Sequence, residues 1–308
     1  MSALLSYNAT IVAREDLSPS LAIFRIRPDD PPNKAGWFVP GQYLVLGLNN
    51  VSKPELGSVR RPMSIASCLQ RTEEVDFYIR YVAHPQSNNP FTHLLWDLKI
   101  GARIFLRTHP TGHFTLEHTI GLSDPRLKIF VAAGTGLAPF ICQVESDHYQ
   151  DPQLSLKHYA VLHGASYPHE LGYSEKLDRL RISNELHYFP TVSRLQEDPP
   201  WHGDRGRVED FFLCDRIESL EERLGLQPGQ LTPEHCVVFI CGLQGTIGKT
   251  IERLLPRGYV PDHRKIRRAL EIDENTRSSI FFEQYDNSPV LNINDPVALE
   301  RLRKLLPR

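Results

Sequence analysis

The feature that most constrains the fold is a change of rhythm near Asp124-Pro125. Before it, YNATIVARE, SLAIFRIRP, QYLVLGL, RPMSIAS, VDFYIRYVA and ARIFLRT are short, rich in β-branched and aromatic residues, and separated by Gly, Pro, Asn and Asp. That spacing suits an antiparallel barrel. One helical segment, FTHLLWDL, interrupts it after the turn-forming QSNNP. After the change, apolar strands alternate with helical patterns: KIFVAAG with APFICQVESDHY, LKHYAVLHG with HELGYSEKLDRLR, LHYFPTVS with VEDFFLCDRIESLEERLG, and CVVFICG with GKTIERLL. Alternation of this kind predicts a parallel sheet flanked by helices. The expected architecture is therefore a two-domain chain, an N-terminal antiparallel β-barrel followed by an α/β parallel-sheet domain, with the boundary between Thr119 and Arg126. A length of 308 residues accommodates two cores. The tail past Asp286 carries a further helical pattern, DPVALERLRKLL.

Three segments hold candidate chemistry. In KIFVAAGTGLAPF a strand runs into a turn containing Gly134, Thr135 and Gly136, and a helix opens near Pro139. Glycines let backbone approach a phosphate, and the unpaired N–H groups of a helix start attract its charge. A tight turn with no ligand is the plainer alternative. GSVRRPMSIAS offers a guanidinium at Arg61, an extended chain at Pro62 and a hydroxyl at Ser64. Strand alternation puts Arg61 and Met63 on one face and Ser64 on the other or at the edge. An ordinary surface strand would look the same. CVVFICG is a buried-type strand ending in Cys241-Gly242 at the carboxyl edge of the sheet, where open α/β folds bind ligands, although a core thiol fits as well. The following Gly248-Lys249-Thr250 imitates a nucleoside-triphosphate loop, but Leu243 stands where that loop needs glycine.

Taken in order, these motifs resemble the ferredoxin–NADP reductase family, with the bacterial-type reductases nearest, and the resemblance runs to about Asp286. PGQY at 40–43 and HPTGHF at 109–114 stand where that family has a PGQ element and a Pro-x-Gly turn. The resemblance implies an FAD-binding barrel at residues 1–122, an NAD(P)-binding domain at 123–286 and a helical extension at 287–308. It implies that Arg61 contacts the flavin pyrophosphate, that Ser64 hydrogen-bonds near flavin N5, and that Met63 replaces a stacking tyrosine. Thr92 corresponds to the second pyrophosphate element, with Asn89 in place of the usual glycine. Gly134, Thr135, Gly136 and Pro139 form the nicotinamide-nucleotide turn, and Cys241 and Gly242 the end of the site strand. Glu283 and Tyr285 are similar to a terminal Glu-x-Tyr in which the tyrosine covers the flavin face, making Tyr285 a candidate gate and Glu283 a candidate proton or nicotinamide partner. A hydrophobic final strand explains the same segment.

NADP requires cations or donors at its 2′-phosphate, whereas NAD favours an acid at the ribose. The resemblance implies arginines after the second and third strands of this domain; Ser166 stands at the first such position without an arginine, and Arg194 and Arg207 supply the later ones, which favours NADP. The expected activity is electron transfer between NADP(H) and a one-electron carrier through FAD. Alternatives are an NADH-using reductase component of an oxygenase, a diaphorase, or a non-catalytic flavin-binding subunit. Cys68, Cys142, Cys214, Cys236 and Cys241 are scattered without a CxxC pair, so no metal or iron–sulfur site is expected and the redox centre should be organic. The carrier is then a separate protein, a ferredoxin or flavodoxin, and the basic HRKIRR at 263–268 is a candidate docking patch beside the alternative of a solvated helix face. A formal charge of −2 gives no case for nucleic acid. With no basic-then-apolar leader and no apolar run of about 18 residues, a cytoplasmic location without membrane contact is expected.

Overall fold

Period-two alternation builds the first sheet. Ala22, Phe24 and Ile26 on one strand and Val75, Phe77 and Ile79 on its neighbour share a buried face. The structure, a computed structural model, describes residues 4–32, 34, 36–51, 53–85, 91–195 and 200–307. Asn89 lies outside them. The chain separates into two units, Met1–His118 with Ala138–Pro152, and Thr119–Leu137 with Gln153–Arg308.

The first unit is a six-stranded antiparallel barrel formed by β1 (Ala9–Ser18), β2 (Leu21–Pro28), β3 (Tyr43–Asn49), β4 (Ser58–Ser64), β5 (Val75–Arg80) and β6 (Arg103–Thr111) in the order β4-β3-β6-β1-β2-β5. Just past the end of β4 the ladder closes, where Ala66 N–H donates to the Asp76 carbonyl at 2.9 Å. The Asp76 carboxylate is fastened there by Arg25 at 2.7 Å and Arg71 at 2.8 Å. Helix α1 (Phe91–Trp96) drives Phe91 and Leu95 into the barrel core. The short α2 (Leu116–Thr119) ends the barrel. The PGQY and HPTGHF motifs meet at one corner. A Cβ on Gly41 would stand 2.0 Å from the Phe114 carbonyl oxygen, so only glycine lets the two turns touch.

The second unit is a six-stranded parallel sheet: β7 (Leu127–Ala133), β8 (Tyr159–Ala165), β9 (His187–Val192), β10 (Asp204–Arg205), β11 (Cys236–Gly242) and β12 (Ile280–Gln284), ordered β10-β9-β8-β7-β11-β12. The apolar runs in β7, β8 and β11 are buried almost throughout, as a sheet covered by helices requires. Chain direction across the sheet reverses between β7 and β11, which defines a switch-point crevice at their carboxyl ends. Between β7 and β8 lies α3 (Ala138–Gln150), which groups with the first unit. Its Cys142 sits in the barrel core, and the Ser146 hydroxyl accepts from Leu69 N–H at 3.0 Å.

Helix α4 (Ser174–Asn184) precedes β9. The long helical pattern after β9 resolves into a 3-10 turn at Val208–Phe212 and the separate α5 (Ile217–Arg223). Helix α6 (Gln244–Leu254) follows β11, α7 (Arg264–Ala269) precedes β12, and α8 (Pro296–Arg303) lies in the tail. Ile247, Ile251, Leu254, Ile266 and Leu302 of these helices share one core with Val131, Leu162 and Ile240 of the strands. The Gly248-Lys249-Thr250 segment is thus interior helix, with Thr250 Oγ1 donating to the Thr246 carbonyl at 2.8 Å. No helix among the described residues is long and apolar enough to cross a membrane.

An ion cluster joins the start of β7 to the segment before β12. The fully buried Asp124 carboxylate accepts from Arg126 Nη2 and from Arg277 Nη2, each at 2.7 Å. Burial pushes the Asp124 pKa up, but hydrogen bonds from the Arg126 side chain and backbone outweigh it and hold the group below the ordinary carboxylate value. A depressed pKa means the contribution to stability is present above the unfolded value, about 3.9, and is lost as the pH falls below it. Replacing Asp124 by Ala leaves the buried Arg126 charge without its partner and should cost about 3–5 kcal/mol. Denaturant unfolding of the variant at neutral pH checks this, and a loss under about 1 kcal/mol would show the cluster to be dispensable.

Candidate functional site

In the first unit, Arg61 and Met63 share a pleat face with Val59, as alternation requires. Val59 is buried and Met63 packs half-buried on the barrel core, while Arg61 is exposed and its Nη1 donates to the Arg60 carbonyl at 2.9 Å. Pro62 is exposed beside it. Ser64 ends β4 opposite Tyr43 and is 8% exposed. One strand therefore carries an accessible guanidinium three residues from a sheltered hydroxyl. Thr92 is at the start of α1, buried, and its Oγ1 accepts from Val82 N–H at 3.1 Å. Its side chain ties the helix start to the chain two residues past β5.

In the second unit, Gly134, Thr135 and Gly136 form a single 3-10 turn that leads directly from β7 into α3, and Pro139 occupies the second position of that helix. Gly134 takes a positive φ of 55°. Gly136 lies against β11: a Cβ there would stand 2.0 Å from the Cys241 carbonyl oxygen. Two motifs separated by a hundred residues thus meet at the switch point. Cys241 is fully buried, paired with Glu283 across β11 and β12, and its Sγ is 4.0 Å from Glu283 Oε2. Burial first, and the Glu283 charge second, push the Cys241 thiol well above its ordinary range, with a hydrogen bond to Tyr285 opposing them. Cys241 therefore keeps its proton.

Tyr285 follows β12, and its hydroxyl donates to the Thr135 carbonyl at 3.3 Å while its N–H donates to the Gly242 carbonyl at 3.2 Å. Because β11 lies between β7 and β12, that side chain must cross the end of β11 and lie over the crevice. It remains 43% exposed.

Ser166, Arg194 and Arg207 follow β8, β9 and β10, three adjacent parallel strands. Arg194 N–H donates to the Ser166 carbonyl at 2.8 Å, and Gly206 N–H, next to Arg207, donates to the Val192 carbonyl at 2.9 Å. Both arginines are exposed. Sequence reasoning passed over Glu170, whose buried carboxylate accepts from Ser166 N–H at 3.2 Å. Its position four residues after Ser166 was the available signal. The basic segment 263–268 is less open than its composition suggests, because Arg267 is spent on Ser278 Oγ and on the carbonyls of Asp273, Glu274 and Thr276.

The oxidoreductase NAD-binding domain matches residues 130–250, the stretch holding the turn, the three strand ends and the Cys-Gly. Over 216 residues the chain is 28% identical to a flavodoxin/ferredoxin–NADP reductase of Rhodobacter capsulatus, covering 67% of this chain and 70% of that protein. The chain carries an oxidoreductase NAD-binding domain and is similar to flavodoxin/ferredoxin–NADP reductases. A ferredoxin–NADP reductase structure from Neisseria gonorrhoeae superposes with a TM-score of 0.68 at 22% identity, covering 90% of this chain and 97% of that one, which establishes the shared two-domain fold. The chain is also 27% identical to the phenol 2-monooxygenase reductase component of a Pseudomonas strain, over 66% of this chain and just over half, 52%, of that protein. The chain is an oxidoreductase similar to the ferredoxin–NADP reductases.

The buried, protonated state assigned to Cys241 is testable by alkylation. At about pH 8.5, iodoacetamide should label the exposed Cys214 in native protein and leave Cys241 unlabelled until denaturant is added. Mass spectrometry showing native labelling of Cys241 would contradict the assignment.

Proposed function

We propose that the protein transfers electrons between NADP(H) and a one-electron carrier, a ferredoxin or a flavodoxin, by hydride transfer involving a bound FAD. The observation that carries the nicotinamide half is the meeting of Gly136 with Cys241 at the switch point, which sets a glycine-lined turn beside the crevice. Such a turn fits a pyrophosphate, since its backbone can be approached without a side chain intervening. Ser166, Arg194 and Arg207 supply donors and positive charge at three neighbouring strand ends, the requirement of a 2′-phosphate. On the barrel, exposed Arg61 suits a flavin pyrophosphate and sheltered Ser64 suits the polar edge of the ring. Pro62 keeps the strand extended between them, and Met63 gives the ring an apolar, polarizable contact. When bound, a flavin would accept hydride and release its two electrons one at a time with loss of the proton, while the chain's own groups bind, orient and shield it.

Relatives with small-carrier names support the choice of partner: the Rhodobacter capsulatus protein is named for flavodoxin and ferredoxin, and so is one from Buchnera aphidicola at 25% identity. A second reading, NADH as donor to an oxygenase component, is favoured by one observation: the Glu170 carboxylate at Ser166 puts an acid where NAD-binding sites use one. Kinetics separate the two. Changing Arg194 and Arg207 to Ala should lower kcat/KM for NADPH about tenfold per arginine, the worth of a charge-assisted hydrogen bond, with NADH changed less than about twofold. In the same assay Ser64→Ala should lower kcat with either nucleotide. Equal losses for NADPH and NADH in the arginine variants would favour the NADH reading, and an unchanged kcat in Ser64→Ala would remove that hydroxyl from the site.

A further inference from the structure

The chain has two methionines, and Met63 is the internal one. It stands in β4 between exposed Pro62 and sheltered Ser64, half-buried, with its side chain packed on the barrel core and its Cα opposite Leu44 of β3. Its pleat face also carries Val59, which is buried, and Arg61, which is exposed. The other sulfur atoms among the described residues of this unit belong to Cys68 and Cys142. Both are buried, and burial pushes both thiols above their ordinary range. Peroxide reacts with the thiolate, so a protonated, enclosed thiol is inert. A thioether has no proton to lose. Its sulfur lone pair reacts as it stands, and access alone decides. Met63 is therefore the sulfur of this unit, among its described residues, that is open to oxidation.

We propose that Met63 is a site of modification by hydrogen peroxide, and that its sulfoxide weakens the barrel's hold on FAD. The proposal rests on the flavin reading above. Dioxygen that takes two electrons and two protons at a reduced site, in the absence of a carrier, becomes hydrogen peroxide. In the step on Met63 an S–O bond forms and the peroxide O–O bond breaks. The sulfur gives up two electrons, and the second peroxide oxygen takes them and leaves as water with both peroxide protons. The product is polar where the thioether was apolar. Turned toward the core, the new oxygen faces the apolar side of Leu44, and Pro62 has no N–H to offer it. Turned outward, it lies on the pleat face of Arg61 and draws that guanidinium away from the pyrophosphate. Either position weakens the same ligand. A chain that reduces dioxygen in place of its carrier thus loosens its own flavin, and enzymatic reduction of the sulfoxide restores it.

The test is to treat the FAD-loaded full chain with hydrogen peroxide, to locate added oxygen by tandem mass spectrometry, and to measure the FAD dissociation constant by fluorescence before and after. Dithiothreitol in the binding assay reverses mild oxidation of the exposed Cys214. Met63 should carry one added oxygen in the native protein, and FAD should then bind about tenfold more weakly. The two methionine sulfoxide reductases, one for each epimer, should restore the affinity. Met63→Leu keeps an apolar side chain of similar volume, and its FAD affinity should be the same on either side of the treatment. Met63→Gln carries a permanent polar group, and it should start weaker than the wild type and not change. Met63 that stays unmodified until denaturant is added overturns the proposal. So does a sulfoxide that leaves FAD affinity unchanged, or an equal peroxide-dependent loss in Met63→Leu. The wild-type cycle of oxidation and repair decides the matter even where a variant does not fold. A chain that binds no FAD before treatment overturns the flavin reading itself.

Discussion

The contact on which the site depends is a backbone one. Gly136 packs against the Cys241 carbonyl so closely that any side chain at that position would displace either the turn after β7 or the end of β11. These two strands flank the point where the sheet order reverses, so the contact both closes the sheet at its centre and forms the crevice wall. The consequences spread outward from it. Cys241 is sealed into the core with its thiol protonated, Glu283 is set beside it by strand register, and Tyr285 has a carbonyl at Thr135 within reach.

The same device recurs where the chain must bring distant segments together. Gly41 meets the Phe114 carbonyl at the barrel corner, and Gly248 meets the Val290 carbonyl under the tail. Charge does comparable work at the other end of the parallel sheet, where Asp124 gathers Arg126 and Arg277. The buried cluster fixes where β7 and the segment before β12 begin, and the glycine contacts fix where β7, β11 and the tail are closest. Between them the strands have little freedom of register.

Much of this was legible in the sequence, and the limits are instructive. The change of rhythm at Asp124-Pro125 foretold an antiparallel barrel and a parallel sheet because period-two and βα patterns are local properties. GTGLAP and Cys-Gly were found as separate motifs, but their contact through Gly136 is tertiary and no spacing rule states it. The pattern VEDFFLCDRIESLEERLG reads as one helix, yet Val208 must cross β8 at Gly164, and the chain breaks into a 3-10 turn and α5. Gly248-Lys249-Thr250 failed the loop spacing by one residue, and its glycine answers to the tail instead. Glu170 was missed because a carboxylate that accepts from a backbone N–H leaves no periodic trace. Arg267 was counted as surface charge, whereas it organises the loop before β12.

The central claim is that hydride passes between NADP(H) and a flavin held by this chain. Anaerobic mixing of flavin-loaded protein with NADPH, protiated or deuterated at the transferred C4 position, tests it most directly. The account predicts loss of the flavin's visible absorbance, slower with deuterium than with hydrogen. Flavin that stays oxidised with both NADPH and NADH, or bleaching with no dependence on the isotope when the chemical step is isolated in a single turnover, would contradict it.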